Sequence, residues 1–117
     1  MDNTDLITST LNNLRISTKL KGYDYLVFGI AAFLEDDNYS YSITKALYPH
    51  IAKNFKVSPY TIERSIRHAI NNAWKNGAGE EFCHMLGLEV INCIKPSNGQ
   101  FISVLARICQ SGDNRLV

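Results

Sequence analysis

The stretch from Ser42 to Trp74, S-I-T-K-A-L-Y-P-H-I-A-K-N-F-K-V-S-P-Y-T-I-E-R-S-I-R-H-A-I-N-N-A-W, holds two helical patterns separated by too few residues for anything but a tight turn. In the first pattern Ile43, Leu47, Ile51 and Phe55 recur every four residues. Pro49 falls inside it, and a proline within a helix removes a hydrogen bond and crowds the preceding turn. A bend near Tyr48-Pro49 is expected, or a short helix followed by a second. The next helix has a strong start at Ser58-Pro59. Serine accepts from exposed first-turn amides, and proline suits the first helical position. This helix is expected over Pro59 to about Asn76, with Gly77 as its stop. Two helices joined by a short turn form the pattern of a helix-turn-helix, which lays its second helix in the DNA major groove.

Helical geometry separates the faces of that second helix. With Ile62 set at 0° and about 100° per residue, Ile66, Ala69, Ile70 and Ala73 fall near 40°, −20°, 80° and 20°. They form one apolar stripe. Tyr60, Arg67, Asn71 and Arg64 fall roughly opposite, at about 160°, 140°, 180° and 200°. Lys75 and His68 border that outward face near 220° and 240°, and Trp74 flanks the core near 120°. A recognition helix needs one face to anchor it and another to present long donors. Arginine suits the second task because its planar fork matches O6 and N7 of guanine. Asn71 can pair with adenine or hold a phosphate. His68 can donate to DNA or pack. Glu63 can accept from cytosine N4 or orient Arg67 four residues on.

Charge supports the same segment. The chain of 117 residues has a formal net charge of only +1. Between Ser42 and Lys75, however, Lys45, Lys53, Lys56, Arg64, Arg67 and Lys75 stand against Glu63 alone, so 6 − 1 = +5 there and 1 − 5 = −4 elsewhere. A basic patch on a near-neutral chain still attracts phosphate. Solvated helical charge is the plainer alternative.

The remaining sequence is helical in period, with no alternating strand runs. One helix is expected over about Thr4 to Leu14, with Thr4 as N-cap and Ile7, Leu11 and Leu14 on its buried stripe. A second, over about Gly22 to Glu35, is apolar around most of its girth and reads as central. It ends in the acidic tract Glu35-Asp36-Asp37-Asn38. A short helix over Glu80 to Leu86 stops at Gly87. Lys95-Pro96-Ser97-Asn98 announces a last helix carrying Phe101, Ile102, Leu105, Ile108 and Cys109. The length suits one domain, residues 1–117, and the fold class is all-α with six helices. No apolar run of about 18 residues occurs, so no membrane span is expected. The polar start Met1-Asp2-Asn3-Thr4-Asp5 lacks a secretory pattern, and the cytoplasm is the expected compartment.

Nothing points to an enzyme or a cofactor. His50, His68 and His84 are scattered, and no phosphate-cradling glycine loop is visible. Cys83, Cys93 and Cys109 form no C-x-x-C pair, so a metal site is not expected and buried thiols are.

S-I-T-K-A-L-Y-P-H-I-A-K-N-F and I-E-R-S-I-R-H-A-I-N-N-A-W resemble the DNA-binding effector domain of the sporulation master regulator, stage zero sporulation protein A. The resemblance continues at Lys21-Gly22-Tyr23 and from Lys95 to Ile102, covering about Leu6 to Ile108. It implies six helices containing a helix-turn-helix and binding to TGTCGAA-type promoter boxes in double-stranded DNA. It also implies homodimers on tandem sites and contact with an RNA polymerase sigma factor. By that resemblance Glu63, Arg64, Arg67 and His68 make base contacts, while Ser42, Thr44 and Lys45 touch the DNA backbone. Lys53, Tyr60, Asn71 and Lys75 are further backbone candidates from their position and charge. Thr61 stands where the family usually has arginine, which puts box preference in question. The family also carries a receiver domain, for which 117 residues leave no room. The chain therefore reads as a fragment or as a stand-alone effector. Two functions follow: a sequence-specific transcription regulator, or a receiverless interaction module that antagonises a full-length regulator or polymerase without strong DNA binding.

Overall fold

A computed structural model of the chain describes residues 3–36, 38–39, 42–87 and 94–111, with residues 3 and 111 by backbone alone. Among these residues there are six α-helices and no strands. They are α1 (Asn3–Asn13), α2 (Lys21–Glu35), α3 (Tyr48–Phe55), α4 (Pro59–Lys75), α5 (Ala78–Met85) and α6 (Asn98–Ser111). A π-helical turn, Ile43–Leu47, leads directly into α3. The expected kink therefore takes the form of a short helical piece followed by a second. The Tyr48 amide donates to Ile43 O, five residues back, so the turn is wide there. Pro49 falls in the first turn of α3, where its missing N–H costs no helical bond. Two expected details differ. Thr4 lies within α1 rather than capping it. Helix α5 starts at Ala78, directly after Gly77 in the left-handed region (φ 93°), ahead of the glutamates expected to begin it.

Helix α2 is central, as its apolar girth suggests. It packs against α1, α3, α4 and α6. Leu26 and Ile30 are fully buried within it. Two glycines on one face of α2, seven residues apart, set how near the neighbouring helices come. A Cβ on Gly22 would lie 2.7 Å from Ala69 Cβ and would collide with the carbonyl oxygen of Ser65, both on α4. A Cβ on Gly29 would lie 2.8 Å from Ile51 Cδ1 on α3. Both helices of the helix-turn-helix are therefore seated on α2 through positions lacking a side chain. Glycine inside a helix costs about 0.5–1 kcal/mol relative to alanine, so close packing is what offsets it here.

The apolar stripe of α4 is buried as its period requires. Ile62, Ile66, Ala69 and Ala73 are fully enclosed and Ile70 nearly so. Each isoleucine side chain contributes about 1.5–3 kcal/mol on burial. Trp74 packs between Phe82 of α5 and Phe101 of α6, with ring centroids 5.3 and 6.1 Å away. The far end of α4 is capped at long range. Arg15 Nη1 donates to Asn76 O at 2.8 Å, placing a cation on the negative pole of the helix. Ser97 and Gln100 cap the start of α6 reciprocally, each backbone N–H meeting the other's side chain.

The cysteines need one correction. Cys109 is buried and outside any disulfide, as expected of a buried thiol. Cys83 is buried but disulfide-bonded, not a free thiol. Pairing depends on where the fold carries each thiol, which spacing alone does not give. Cys93 and Asp37 lie outside the described residues.

Two stability changes are expected. Gly22→Ala should destabilise by about 1–3 kcal/mol despite its better helix propensity, because the obstacle includes backbone. Gly29→Ala should cost less, since it meets only the tip of a flexible isoleucine. Urea unfolding of both variants checks this, and equal effects would count against the α2–α4 contact as the tighter constraint. Lys56, at φ 60° and ψ 44° just past α3, sits in the left-handed region. Lys56→Gly should stabilise by about 0.5–1 kcal/mol in the same assay, and a loss would contradict the backbone argument.

Candidate nucleic-acid interface

The turn between α3 and α4 is three residues long, Lys56 to Ser58, and its geometry follows from local chemistry. Lys56 reverses the chain in a left-handed conformation, and the Val57 amide returns to Ala52 O at 3.1 Å, closing the end of α3. Ser58 then opens α4. Its Oγ accepts from the Thr61 amide at 3.1 Å, and its hydroxyl lies 3.0 Å from that of Thr61. Thr61 thus takes part in the cap of α4 rather than reaching outward as an arginine would.

The outward face of α4 is arranged before any ligand arrives. Tyr60, Arg64, Arg67 and His68 are exposed, and Glu63 and Asn71 are half-buried. Arg67 Nη1 donates to the Glu63 carboxylate four residues earlier. Of the two roles open to Glu63, orienting Arg67 is therefore realised within the protein. The Arg64 guanidinium lies over the Tyr60 ring, 5.4 Å from its centroid. Lys95 Nζ donates to Asn71 Oδ1, fixing which way that amide faces. The backbone of α4 is also held from outside. Asn98 Nδ2, at the start of α6, donates to Glu63 O at 3.0 Å and to Tyr48 OH at 3.2 Å. Burial pushes the Tyr48 hydroxyl above its ordinary pKa, partly offset by the Asn98 bond. It stays neutral at physiological pH and remains an acceptor for Asn98.

Two shallow clefts flank α4. One is edged by Lys21 at the start of α2 and by Thr61, Arg64, Ser65 and His68 of α4. Among the described residues no carboxylate lines it. The other joins Thr44 of the π turn to Arg67 and Asn71 of α4 and to Lys95, Ser97 and Asn98 before and at the start of α6. Its acidic residue, Glu63, is neutralised by Arg67. A basic ridge between two clefts, each with a lysine on its outer side, matches the needs of a major-groove reader. In such a reader the ridge faces the bases and the backbones pass on either side.

The expected site residues are distributed unevenly. Glu63, Arg64, Arg67 and His68 share the ridge. Thr44 joins it across a cleft. Ser42 Oγ caps the π turn by accepting from the Lys45 amide at 3.0 Å, while Lys45 is exposed beside it. Lys53 lies in the last turn of α3 and lines neither cleft. Lys75 lies in the last turn of α4, roughly 16 Å along the axis from Arg64, and also lines neither. Sequence reasoning assigned no role to Lys21, Lys95 or Asn98. The signal available was that each falls in a segment matching the sporulation family away from the helix-turn-helix itself.

The fold, the short turn and the basic outward helix agree with an independent comparison. The family model described as "Sporulation initiation factor Spo0A C terminal" matches residues 7–108, nearly the whole chain and all of the interface. Its members are helical DNA-binding effector domains rather than enzymes. No helix among the described residues is long and apolar enough to cross a membrane. The chain therefore belongs to the Spo0A C-terminal family.

Proposed function

We propose that residues 1–117 fold as one domain and act as a sequence-specific transcription regulator of the sporulation-initiation type, in the cytoplasm, on TGTCGAA-like boxes. The observation that carries this reading is the α4 ridge, where Arg64 and Arg67 are exposed, pre-positioned by Tyr60 and Glu63, and flanked by lysine-edged clefts. In the proposed complex α4 enters the major groove. Arg64 and Arg67 donate to guanine edges, His68 assists, and Glu63 holds Arg67 in line. Thr44, Lys45 and the Ser42 hydroxyl meet one backbone. Lys21 and Lys95 extend the phosphate contacts on the two sides of the ridge, and Lys53 and Lys75 act at longer range. Homodimers on tandem boxes and contact with a sigma factor complete the reading by family likeness.

The alternative, an interaction module without strong DNA binding, draws on Thr61 and the low net charge. The clefts weigh against it, since their charge would serve no purpose in a salt-insensitive protein complex.

Arg64→Ala and Arg67→Ala should each weaken box binding by about 1–3 kcal/mol and reduce discrimination against a scrambled duplex, with the circular dichroism melt unchanged. Unaltered box affinity in both variants would remove their base-reading roles. Lys21→Gln and Lys95→Gln should instead weaken box and scrambled duplexes alike. Each should lower the slope of log affinity against log salt by about 0.9, one released counterion per phosphate contact. An unchanged slope in the double variant would remove both lysines from the interface.

A further inference from the structure

We infer that Tyr60 is a specificity-determining residue of this chain, reading the 5-methyl group of a thymine at one edge of the site. The inference rests on the DNA-binding reading above and goes beyond it, since position and charge alone made Tyr60 a backbone contact.

Tyr60 is the second residue of α4, directly after Pro59. The first turn of a recognition helix is the part that reaches base edges. Its side chain points away from the core and is 67% exposed. Among the described residues the other exposed large hydrophobic side chains are Leu86 and Ile94, neither of them on α4. The Tyr60 hydroxyl has no hydrogen-bond partner among the described residues, and the ring's neighbour is the Arg64 guanidinium, 5.4 Å from the centroid. The ring therefore contributes nothing to the core. It stands beside a base-reading arginine on the same face, one helical turn away.

Chemistry selects the target. In the major groove the apolar group that distinguishes one base pair from the others is the thymine methyl. An exposed aromatic ring offers it dispersion contact and removes apolar surface on both sides from water. A ring aimed at the backbone would meet charged phosphate and leave its apolar surface unused. The neighbouring Thr61 adds to the argument. Its hydroxyl is engaged with Ser58, so no long side chain from that position competes for the same base step. Reading at this end of the helix falls to Tyr60.

The experiment is selection of binding sites from a random-sequence duplex pool by the wild type, Tyr60→Phe and Tyr60→Ala. It is followed by titration of the best wild-type duplex with each thymine replaced in turn by deoxyuridine, which lacks the methyl. The expected result is one thymine position that the wild type and Tyr60→Phe select and Tyr60→Ala does not. Deoxyuridine at that position should cost the wild type about fourfold in affinity, the worth of one buried methyl-sized group, and cost Tyr60→Ala nothing. Identical preferences in wild type and Tyr60→Ala would overturn the inference. So would a uniform loss across all sequences, which is the behaviour of a backbone contact. Failure of the wild type to enrich any sequence would overturn the DNA-binding reading, and this inference with it.

Discussion

The close approach of α4 to α2 at Gly22 is the constraint on which the rest of the molecule depends. With Ser65 and Ala69 pressed against a position lacking a side chain, the rotation of α4 about its own axis is fixed. Its isoleucine stripe then points into the core, and Arg64 and Arg67 must point out. A helix is a rigid rod only in its backbone. Packing also sets its azimuth, and with it which side chains face outward. Here that setting comes from a glycine on another helix, not from α4 itself. Gly29 places α3 on the same face of α2, so the two helices of the motif share one seat and their crossing is determined by it.

The ends of α4 are held with comparable care. Ser58 satisfies the Thr61 amide at its start, and Arg15 satisfies a carbonyl beyond its finish. Asn98 ties its middle to α3 through Tyr48. These bonds come from four separate segments, which couples the recognition surface to most of the fold. The side chains on that surface are likewise committed before binding. Arg67 rests on Glu63, Arg64 on Tyr60, and Asn71 on Lys95. Such pairing lowers the entropy lost when long side chains are immobilised at an interface. Exposed pairs of this kind add little to stability, so their value lies in positioning.

Much of this was legible in the amino-acid order. The four-residue repeat, Ser58-Pro59 and the isoleucine stripe define two helices and a turn through local physics, and the outward arginines follow from the period. Pro49 announced the break that the structure resolves into a π turn and α3. Other features were hidden because they depend on distant partners. Nothing in the run Lys21-Gly22-Tyr23 says that its glycine faces Ser65. Arg15 has no local sign of capping a helix end 61 residues away. Lys95 and Asn98 reach α4 only because α6 packs where it does. The state of Cys83 was misread for the same reason, since three widely spaced cysteines do not announce which of them pair. Thr61 was legible as a departure from the family. Its engagement in the helix cap, and the exposure of Tyr60 beside it, became visible only in three dimensions.

The function proposed for the α4 ridge is the reading of DNA sequence. Fluorescence anisotropy of a labelled TGTCGAA-type duplex against a scrambled duplex, titrated with the intact chain across a salt series, tests it most directly. The expected binding weakens steeply with salt and prefers the box at every salt concentration. Absence of binding to either duplex at low salt would contradict it.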